Sequence, residues 1–203
     1  MIDIKSAEQG SISTRNIHVG FWQLNTDYAL HGHDFFEIEL ILSGYGESTI
    51  NGKEVILKPG RINFMTTRDF HDIRNYNPED RLCIANIRFN QTILNPVILK
   101  KIFDVNQTLS FQLDETETAK MKNLMEVMVG VYKEPLEPMD ELVLTNLIET
   151  VIVLLLKKTD VFDAEKTENV AHISRAIGYL EANFYNDPTL AEVAEHVGLN
   201  KNY

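Results

Sequence analysis

The sequence predicts a mixed fold in which an all-β sandwich or barrel precedes a helical half. Short alternating segments separated by turn signals fill the first half, apolar residues recur at helical spacing in the second, and a capped amphipathic helix stands near the end. The 203 residues have room for one substantial domain and a smaller one. With 44% hydrophobic and 24% charged residues, the composition is that of a globular protein rather than a disordered one.

The β half is marked by its turns. Asn51-Gly52 is the favoured pair for a two-residue hairpin, and residues 43–46 and Pro59-Gly60 supply two further turns. Strands at this spacing, with no helix between them, favour a sandwich or barrel. The predicted strands are residues 16–24, 35–42, 47–50, 53–57, 61–65 and 81–89.

A short helix is predicted at 94–103 and a last strand at 108–113, and long helices are predicted after them. Asp114 and Glu117 have the spacing of a capping box, which predicts a helix reaching about residue 132. A second long helix is predicted at about 139–158.

This second helix is apolar on all sides at 151–156, so it must be covered on more than one side. We expect the β domain to cover one side and a second copy of the protein the other; the alternative is that the preceding helix covers both. The residues predicted to contact the second copy are Leu144, Leu147, Ile148, Val151, Ile152 and Leu155.

The end of the chain predicts a helix-turn-helix that is incomplete at Tyr203. A polar linker at 159–169 precedes a helix at about 170–184, and Thr189 can cap a second helix. Gly198 then supplies a tight turn, and Asn200 is suited to cap a third helix.

The stretch from Leu190 to Asn200 resembles the first helix-turn-helix of AraC-type transcription regulators. That family carries two such motifs, and the helix that would read base edges in the major groove has only begun at Tyr203. The resemblance implies that DNA is bound only through a longer protein, and that this chain holds the sensing and dimerising part. Its net charge of −11 agrees, because DNA-binding domains usually carry a basic surface.

His31-Gly32-His33-Asp34-Phe35-Phe36-Glu37 is the second informative stretch. In one continuous strand, His31, His33, Phe35, Glu37, Glu39 and Ile41 would share a face. The stretch resembles the first cupin motif, and Pro59, Gly60, His71 and Asn75 resemble the second. Cupins are small jelly-roll barrels. The resemblance implies that a metal, if present, is held by His31, His33, Glu37 and His71.

Two departures from the cupin pattern argue against a metalloenzyme. Asn25 stands where the first motif usually opens with glycine, and eleven positions separate Gly60 from His71. This looser spacing is similar to that of AraC-type sensor domains, which usually bind a sugar or other polar metabolite without metal. We therefore expect no cofactor and no catalysis.

Three interpretations of the histidines remain: a solvated sheet face, contacts to an organic effector, or metal ligands. The candidate effector-binding residues are His31, His33, Glu37, His71, Trp22 and Arg88. Trp22 can stack on a flat ligand, although core packing is the usual role of a lone tryptophan. Arg88 can pair with an anionic group.

The whole pattern predicts a ligand-responsive, homodimeric transcription regulator of the cytoplasm, with no signal sequence and no membrane span. The predicted segments are a sensing barrel with an N-terminal arm (1–113), a dimerisation segment (114–158), a linker (159–169) and the incomplete helix-turn-helix (170–203). Effector binding is expected to shift the balance between arrangements of the arm and helices. The alternative is a cupin metalloenzyme, a dioxygenase or isomerase, acting on a small polar substrate.

Overall fold

A computed structural model describes residues 3–5, 16–76, 81–105, 107–133, 135–159, 176, 179, 180, 183 and 188–198. It contains the strands β1 (Asp3–Lys5), β2 (Ile17–Leu24), β3 (Tyr28–His33), β4 (Phe36–Ser43), β5 (Gly46–Ile50), β6 (Lys53–Leu57), β7 (Arg61–Met65), β8 (Phe70–Asn75), β9 (Leu82–Phe89) and β10 (Leu109–Gln112). The helices are a 3-10 turn (Gln91–Ile93), α1 (Pro96–Asp104), α2 (Glu115–Val131), α3 (Pro138–Leu156) and α4 (Leu190–Val197).

The strands form two five-stranded sheets. The order in the first sheet is β1-β3-β8-β5-β6, and in the second β10-β7-β4-β9-β2. All pairings are antiparallel except that of β1 with β3. The predicted sandwich followed by helices is confirmed.

The turns form where the sequence predicted them. Asn51 (φ 50°) and Gly52 (φ 78°) close the β5–β6 hairpin with both residues at positive φ, as a two-residue turn requires. The carboxylate of Asp69 holds the neighbouring loop, since it accepts hydrogen bonds from Asn51 Nδ2 (2.5 Å), Thr66 N (2.7 Å) and Thr108 Oγ1 (2.9 Å).

Residues 31–37 do not lie on the one continuous strand from which a shared face was inferred. The chain bends at Asp34 and Phe35, so β3 ends in the first sheet and β4 begins in the second. The strand β8 was not predicted at all. It pairs with β3 and places His71 directly opposite His31.

Apolar side chains pack on both faces of the second sheet. Between the two sheets lies a cluster made of Ile41, Leu57, Ile73, Leu82 and Ile84. On the other face of β4, the ring of Phe36 lies 5.7 Å from Phe64 and 5.8 Å from Phe89, between centroids. The helix α2 packs against β2 and β4, and buries Met121, Met125 and Met128 at helical spacing.

The predicted helix starts are confirmed at both ends of the helical half. Asp114 and Glu117 form the reciprocal capping box of α2, and Thr189 with Glu192 forms that of α4. Gly198 ends α4 at φ 75°, the left-handed conformation that glycine adopts without strain.

The chain divides into two compact units. The first, Met1–Asn95 with Gln107–Leu154, contains both sheets, α2 and most of α3. The second, Pro96–Asn106 with Leu155–Tyr203, contains α1 and α4. Of the predicted helix at 170–184 the structure describes Ala176, Tyr179, Leu180 and Asn183, which are helical, while the predicted cap Asn200 lies outside the described residues.

The predicted dimerisation surface on α3 needs correction. Leu144, Ile148, Val151, Ile152 and Leu155 are all fully buried within the single chain, and Leu147 is half-buried. The chain covers this face itself, so these side chains are not available to a second copy. Among the described helices, none is both long and apolar enough to span a membrane.

Candidate functional site

A cavity of about 250 Å³ lies between the two sheets, within the first unit. Its wall combines apolar and aromatic side chains with an unusual number of ionisable groups. The lining residues are His18, Trp22, Leu24, Tyr28, His31, Phe35, Glu37, Glu39, His71, Ile73, Ile84, Asn86 and Arg88.

The bend between β3 and β4 brings the polar residues together. Four residues along one continuous strand span roughly 13 Å. Because the chain crosses between sheets, His33 Nε2 instead lies 3.4 Å from Glu37 Oε2. His71 Nε2 from β8 reaches the same oxygen at 3.3 Å. The ligand atoms of His33, Glu37 and His71 all lie within 4.8 Å of one another.

Hydrogen bonds fix the orientation of this cluster. Asn86 Nδ2 donates to Glu37 Oε1 at 2.8 Å, which leaves Oε2 to the two histidines. His33 Nδ1 lies 2.6 Å from the backbone oxygen of Phe35, and His31 Nδ1 lies 2.9 Å from that of Ala29. A backbone oxygen only accepts, so each Nδ1 carries its proton.

Burial and mutual charge shift the pKa values of the cluster. Burial alone would raise the pKa of Glu37, but the contacts with His33 and His71 hold it well below its usual range. Burial opposes the charged form of His71, yet the contact with Glu37 raises its pKa to about 9. These two groups are therefore an ion pair at neutral pH.

Glu39 lies one inward-facing position further along β4. Burial, with the added repulsion of Glu37, raises the pKa of this carboxyl to about 7. Burial lowers the pKa of His31, with the positive charge of His71 acting in the same direction. The cavity thus holds one anionic carboxylate, one carboxyl that titrates near neutrality, and an imidazole that stays neutral.

Arg88 and Trp22 lie on neighbouring strands of the cavity wall. Arg88 is buried, and its guanidinium carbon lies 4.5 Å from the centre of the Trp22 ring. Arg88 Nη2 is 3.2 Å from His18 Nδ1. Trp22 remains 38% exposed, so it is a wall residue rather than the core residue that a lone tryptophan usually is.

The structure places most of the predicted site residues around one cavity. The cavity is lined by His31, Glu37, His71, Trp22 and Arg88, whereas His33 does not line it and instead contacts Glu37. Burial of His31, His33, Glu37 and His71 rules out the solvated sheet face. Sequence analysis missed Glu39 and Asn86 as site residues, although each is two positions from a predicted one and therefore on the same face.

A known protein family matches a large part of this chain. The family model described as the AraC-like ligand binding domain matches residues 16–143, the segment that holds β2 to β10, α1, α2 and the start of α3. The chain belongs to that family. The predicted resemblance to AraC-type regulators is thereby confirmed, and the cavity described above lies within the matched segment of this AraC-like ligand binding domain.

Curated relatives extend the similarity beyond the AraC-like ligand binding domain. The chain is 27% identical over 188 residues to the HTH-type transcriptional activator RhaS of Escherichia coli, covering 86% of this chain and 63% of that protein. It is 24% identical over 178 residues to the protein of the same name from Salmonella schwarzengrund, covering 84% and 61%. The chain therefore spans somewhat less than two thirds of the length of these relatives.

A solved structure of ToxT from Vibrio cholerae resembles this chain with a TM-score of 0.53 and 10% identity. The alignment covers 93% of this chain and 72% of the ToxT chain. At this identity the match concerns the fold alone. It confirms the predicted architecture of a cupin-like jelly-roll domain followed by helices.

Proposed function

We propose that this chain is the effector-sensing part of a transcription regulator, and that the effector is a small polar metabolite such as a sugar. The cavity between the sheets carries this proposal. A volume of about 250 Å³ is below the range typical of drug-sized ligands, so it suits a molecule of about monosaccharide size.

The wall chemistry supports a hydroxylated effector. Glu37, Glu39 and Asn86 offer oxygen acceptors from the second sheet, and His31 and His71 offer ring nitrogens from the first. Trp22 offers an aromatic face, and Arg88, directly opposite Glu37 in the pairing of β9 with β4, offers a cation, so a ring and a carboxylate or hydroxyl group can bind there. The effector-binding residues we propose are therefore His31, Glu37, His71, Trp22 and Arg88, joined by Glu39 and Asn86.

Regulation of transcription is proposed for the longer protein. The relatives matched over most of this chain are named as transcriptional activators, and α4 with its glycine turn has the form of the first part of a helix-turn-helix. Specific DNA contacts are assigned to segments beyond this chain, whose net charge is −11. We place the protein in the cytoplasm, where DNA and metabolites are both accessible.

A homodimer remains part of the proposal, with a different surface from the one first predicted. Met139, Leu142, Val143 and Leu154 of α3 are between 39% and 69% exposed. At 100° per residue they lie on one side of the helix and give an exposed, largely apolar stripe, which also carries Asn146 and Thr150; exposed apolar surface of this kind marks protein interfaces.

The alternative function, a cupin metalloenzyme, is favoured by one observation, the cluster of His33, Glu37 and His71. Two histidines and a carboxylate are the ligand set of many non-haem iron enzymes. Turnover of a small polar substrate by the purified chain would favour this alternative over the sensor.

A reporter assay in the full-length protein tests the sensor function. Cells are exposed to a panel of monosaccharides and sugar acids, and the inducing compound is titrated against wild type and Arg88→Ala. We expect the variant to need about 10- to 100-fold more inducer, since a hydrogen bond to a charged group contributes about 1.5–3 kcal/mol. Arg81→Ala, which removes an exposed arginine directly before the same strand, is the matched control and should respond as wild type. An Arg88→Ala protein with wild-type sensitivity would contradict the proposal.

A further inference from the structure

We propose that Gly20 and Asn86 form a specificity subsite, in which a hydroxyl group of the effector donates a hydrogen bond to Asn86 Oδ1. The space above Gly20 admits the ring that carries this hydroxyl. The inference rests on the proposed sensor function. It adds the group that an effector must present, an O–H donor on a ring of about monosaccharide size.

One side chain is missing from the inward face of β2. His18 and Trp22 line the cavity, and Gly20 lies between them on the same face of the strand. A Cβ added to Gly20 would lie 3.5 Å from His18 Cε1 and 3.8 Å from Trp22 Nε1. Apart from the adjacent residues, no other described atom is within 4 Å of that position. The two rings therefore border a gap whose floor is the backbone of Gly20.

The fold does not require glycine at this position. The φ of Gly20 lies outside the left-handed region, and both contacts of an added Cβ are at ordinary van der Waals distances. Glycine inside a strand lowers stability relative to alanine, because it loses more conformational freedom on folding and offers no side chain to pack. A strand glycine without a backbone or packing role fits a place where a ligand approaches the chain closely.

Asn86 on β9 lies directly opposite Gly20 in the pairing of the two strands. It lines the cavity and is only 5% exposed. Its Nδ2 donates to Glu37 Oε1 at 2.8 Å, and because a carboxylate only accepts, this bond fixes the orientation of the amide. Oδ1 is thereby turned away from Glu37, and among the described residues it is buried without a hydrogen-bond partner. Buried amide oxygens normally accept a hydrogen bond, which an O–H group of the effector would supply.

The chemistry of the subsite discriminates between groups of similar size. Asn86 Oδ1 only accepts, so a hydroxyl group satisfies it, whereas an ether oxygen, a fluorine atom or a carboxylate does not. Trp22 Nε1, at the border of the gap, only donates and suits an oxygen of the same ring. A sugar ring carries donor and acceptor oxygens side by side, which makes it the class of ligand that fits both atoms.

Binding calorimetry with the purified chain tests the hydrogen bond to Asn86. The probes are the inducing compound from the panel of monosaccharides and sugar acids, and its monofluoro derivatives, in each of which one O–H is replaced by C–F. We expect one derivative to bind the wild-type chain at least about 10-fold more weakly than the parent, because a buried acceptor is left unsatisfied. In Asn86→Ala the same derivative should bind as tightly as the parent, since the partner of the removed hydroxyl is gone.

Gly20→Ala tests the gap between the rings. The added methyl group should weaken binding of the parent compound about 5- to 100-fold, because it overpacks the occupied cavity. The unfolding temperature of the free chain should stay the same or rise. Gly130→Ala in α2 is the matched control, since an added Cβ there has no described atom within 4 Å. It should raise the unfolding temperature and leave the affinity unchanged.

Three results would overturn the subsite and leave the sensor function in place. They are wild-type affinity in Gly20→Ala, a lower unfolding temperature in Gly20→Ala, and a fluorinated series with the same relative affinities in wild type and Asn86→Ala. Should Asn86→Ala fail to fold, a wild-type chain that binds every fluorinated derivative as tightly as the parent decides against the hydrogen bond. A panel in which no compound binds the wild-type chain removes the proposed effector class, and the subsite with it.

Discussion

Asp34 and Phe35 determine which groups meet in the cavity, because the chain bends there from one sheet to the other. The bend lets His33 and Glu37, four positions apart, approach within 3.4 Å. Residue types in the sequence marked Glu37, Trp22 and Arg88 as candidate effector-binding residues, and the resemblance to cupins added His71; all four line the cavity. The crossing was not predicted, although His33-Asp34 and Phe35-Phe36 interrupt the alternation of polar and apolar residues at the bend.

The sharpest prediction for a single residue concerns Gly44. It has φ 83°, and a Cβ there would lie 2.7 Å from Arg81 O and 2.8 Å from Leu82 Cα. Because backbone cannot move aside as a flexible side chain does, we expect Gly44→Ala to lower the free energy of unfolding by about 3 kcal/mol or more.

Gly52→Ala is the matched control for Gly44→Ala. Gly52 has nearly the same φ, 78°, with nothing within 4 Å of the added Cβ, so only the left-handed backbone cost of about 1–2 kcal/mol applies. Urea unfolding of both variants measures the difference. Equal losses would show that the close approach of Gly44 to the start of β9 is not as described.

The strands β3 and β8 show where element prediction failed. In β8, His71 and Ile73 face inward while Asp72 and Arg74 face outward, but three ionisable residues among the four after Phe70 hide a buried strand. The positive charge of the buried His71 is stabilised chiefly by Glu37 and Glu39, which lie far away in sequence. By contrast α2 and α4 were predicted well, because a capping box is a local signal that needs no distant partner.

The capping box of α2 yields a prediction at the level of the element. Asp114 accepts from Glu117 N at 2.7 Å and thereby satisfies one of the open donors at the helix start. We expect Asp114→Ala to lower the free energy of unfolding by about 0.5–2 kcal/mol.

Lys122→Ala on the same helix provides the comparison. It removes an exposed i,i+4 pair with Glu126 at 3.7 Å, which should contribute at most about 0.5 kcal/mol. Thermal and urea unfolding followed by circular dichroism compare the two variants. A larger loss in Lys122→Ala than in Asp114→Ala would argue against the cap.

At the scale of the whole molecule, the apolar pattern of α3 proved a poor guide to the dimer interface. A helix that is apolar on all sides shows that every side is covered, but not whether the cover is the same chain or another. The chain itself buries Leu144, Ile148 and Val151, and leaves Met139 and Leu142 exposed. The exposed stripe is therefore the surface that we assign to the homodimer.

Replacing Leu142, which is 53% exposed, tests that assignment. Leu142→Glu should shift the full-length protein from dimer to monomer in sedimentation equilibrium, because it places a charge in an apolar contact. Ile56→Glu, at a 57% exposed position on β6, should leave the dimer intact. A Leu142→Glu protein that is still dimeric at the same concentrations would show that the dimer interface lies on another surface.

The central claim, that an effector binds between the two sheets, is tested most directly by the fluorescence of Trp22. It is the single tryptophan of the sequence and lies in the cavity wall, so its emission reports on this site alone. The compound that induces transcription should change the emission of the purified chain in a saturable way, with one site per chain. Asn86→Ala should weaken this binding by at least about 10-fold, because it leaves the buried carboxylate of Glu37 without the hydrogen bond that Asn86 donates. An inducer that binds the wild-type and Asn86→Ala chains equally tightly without altering Trp22 emission would place the effector outside the cavity.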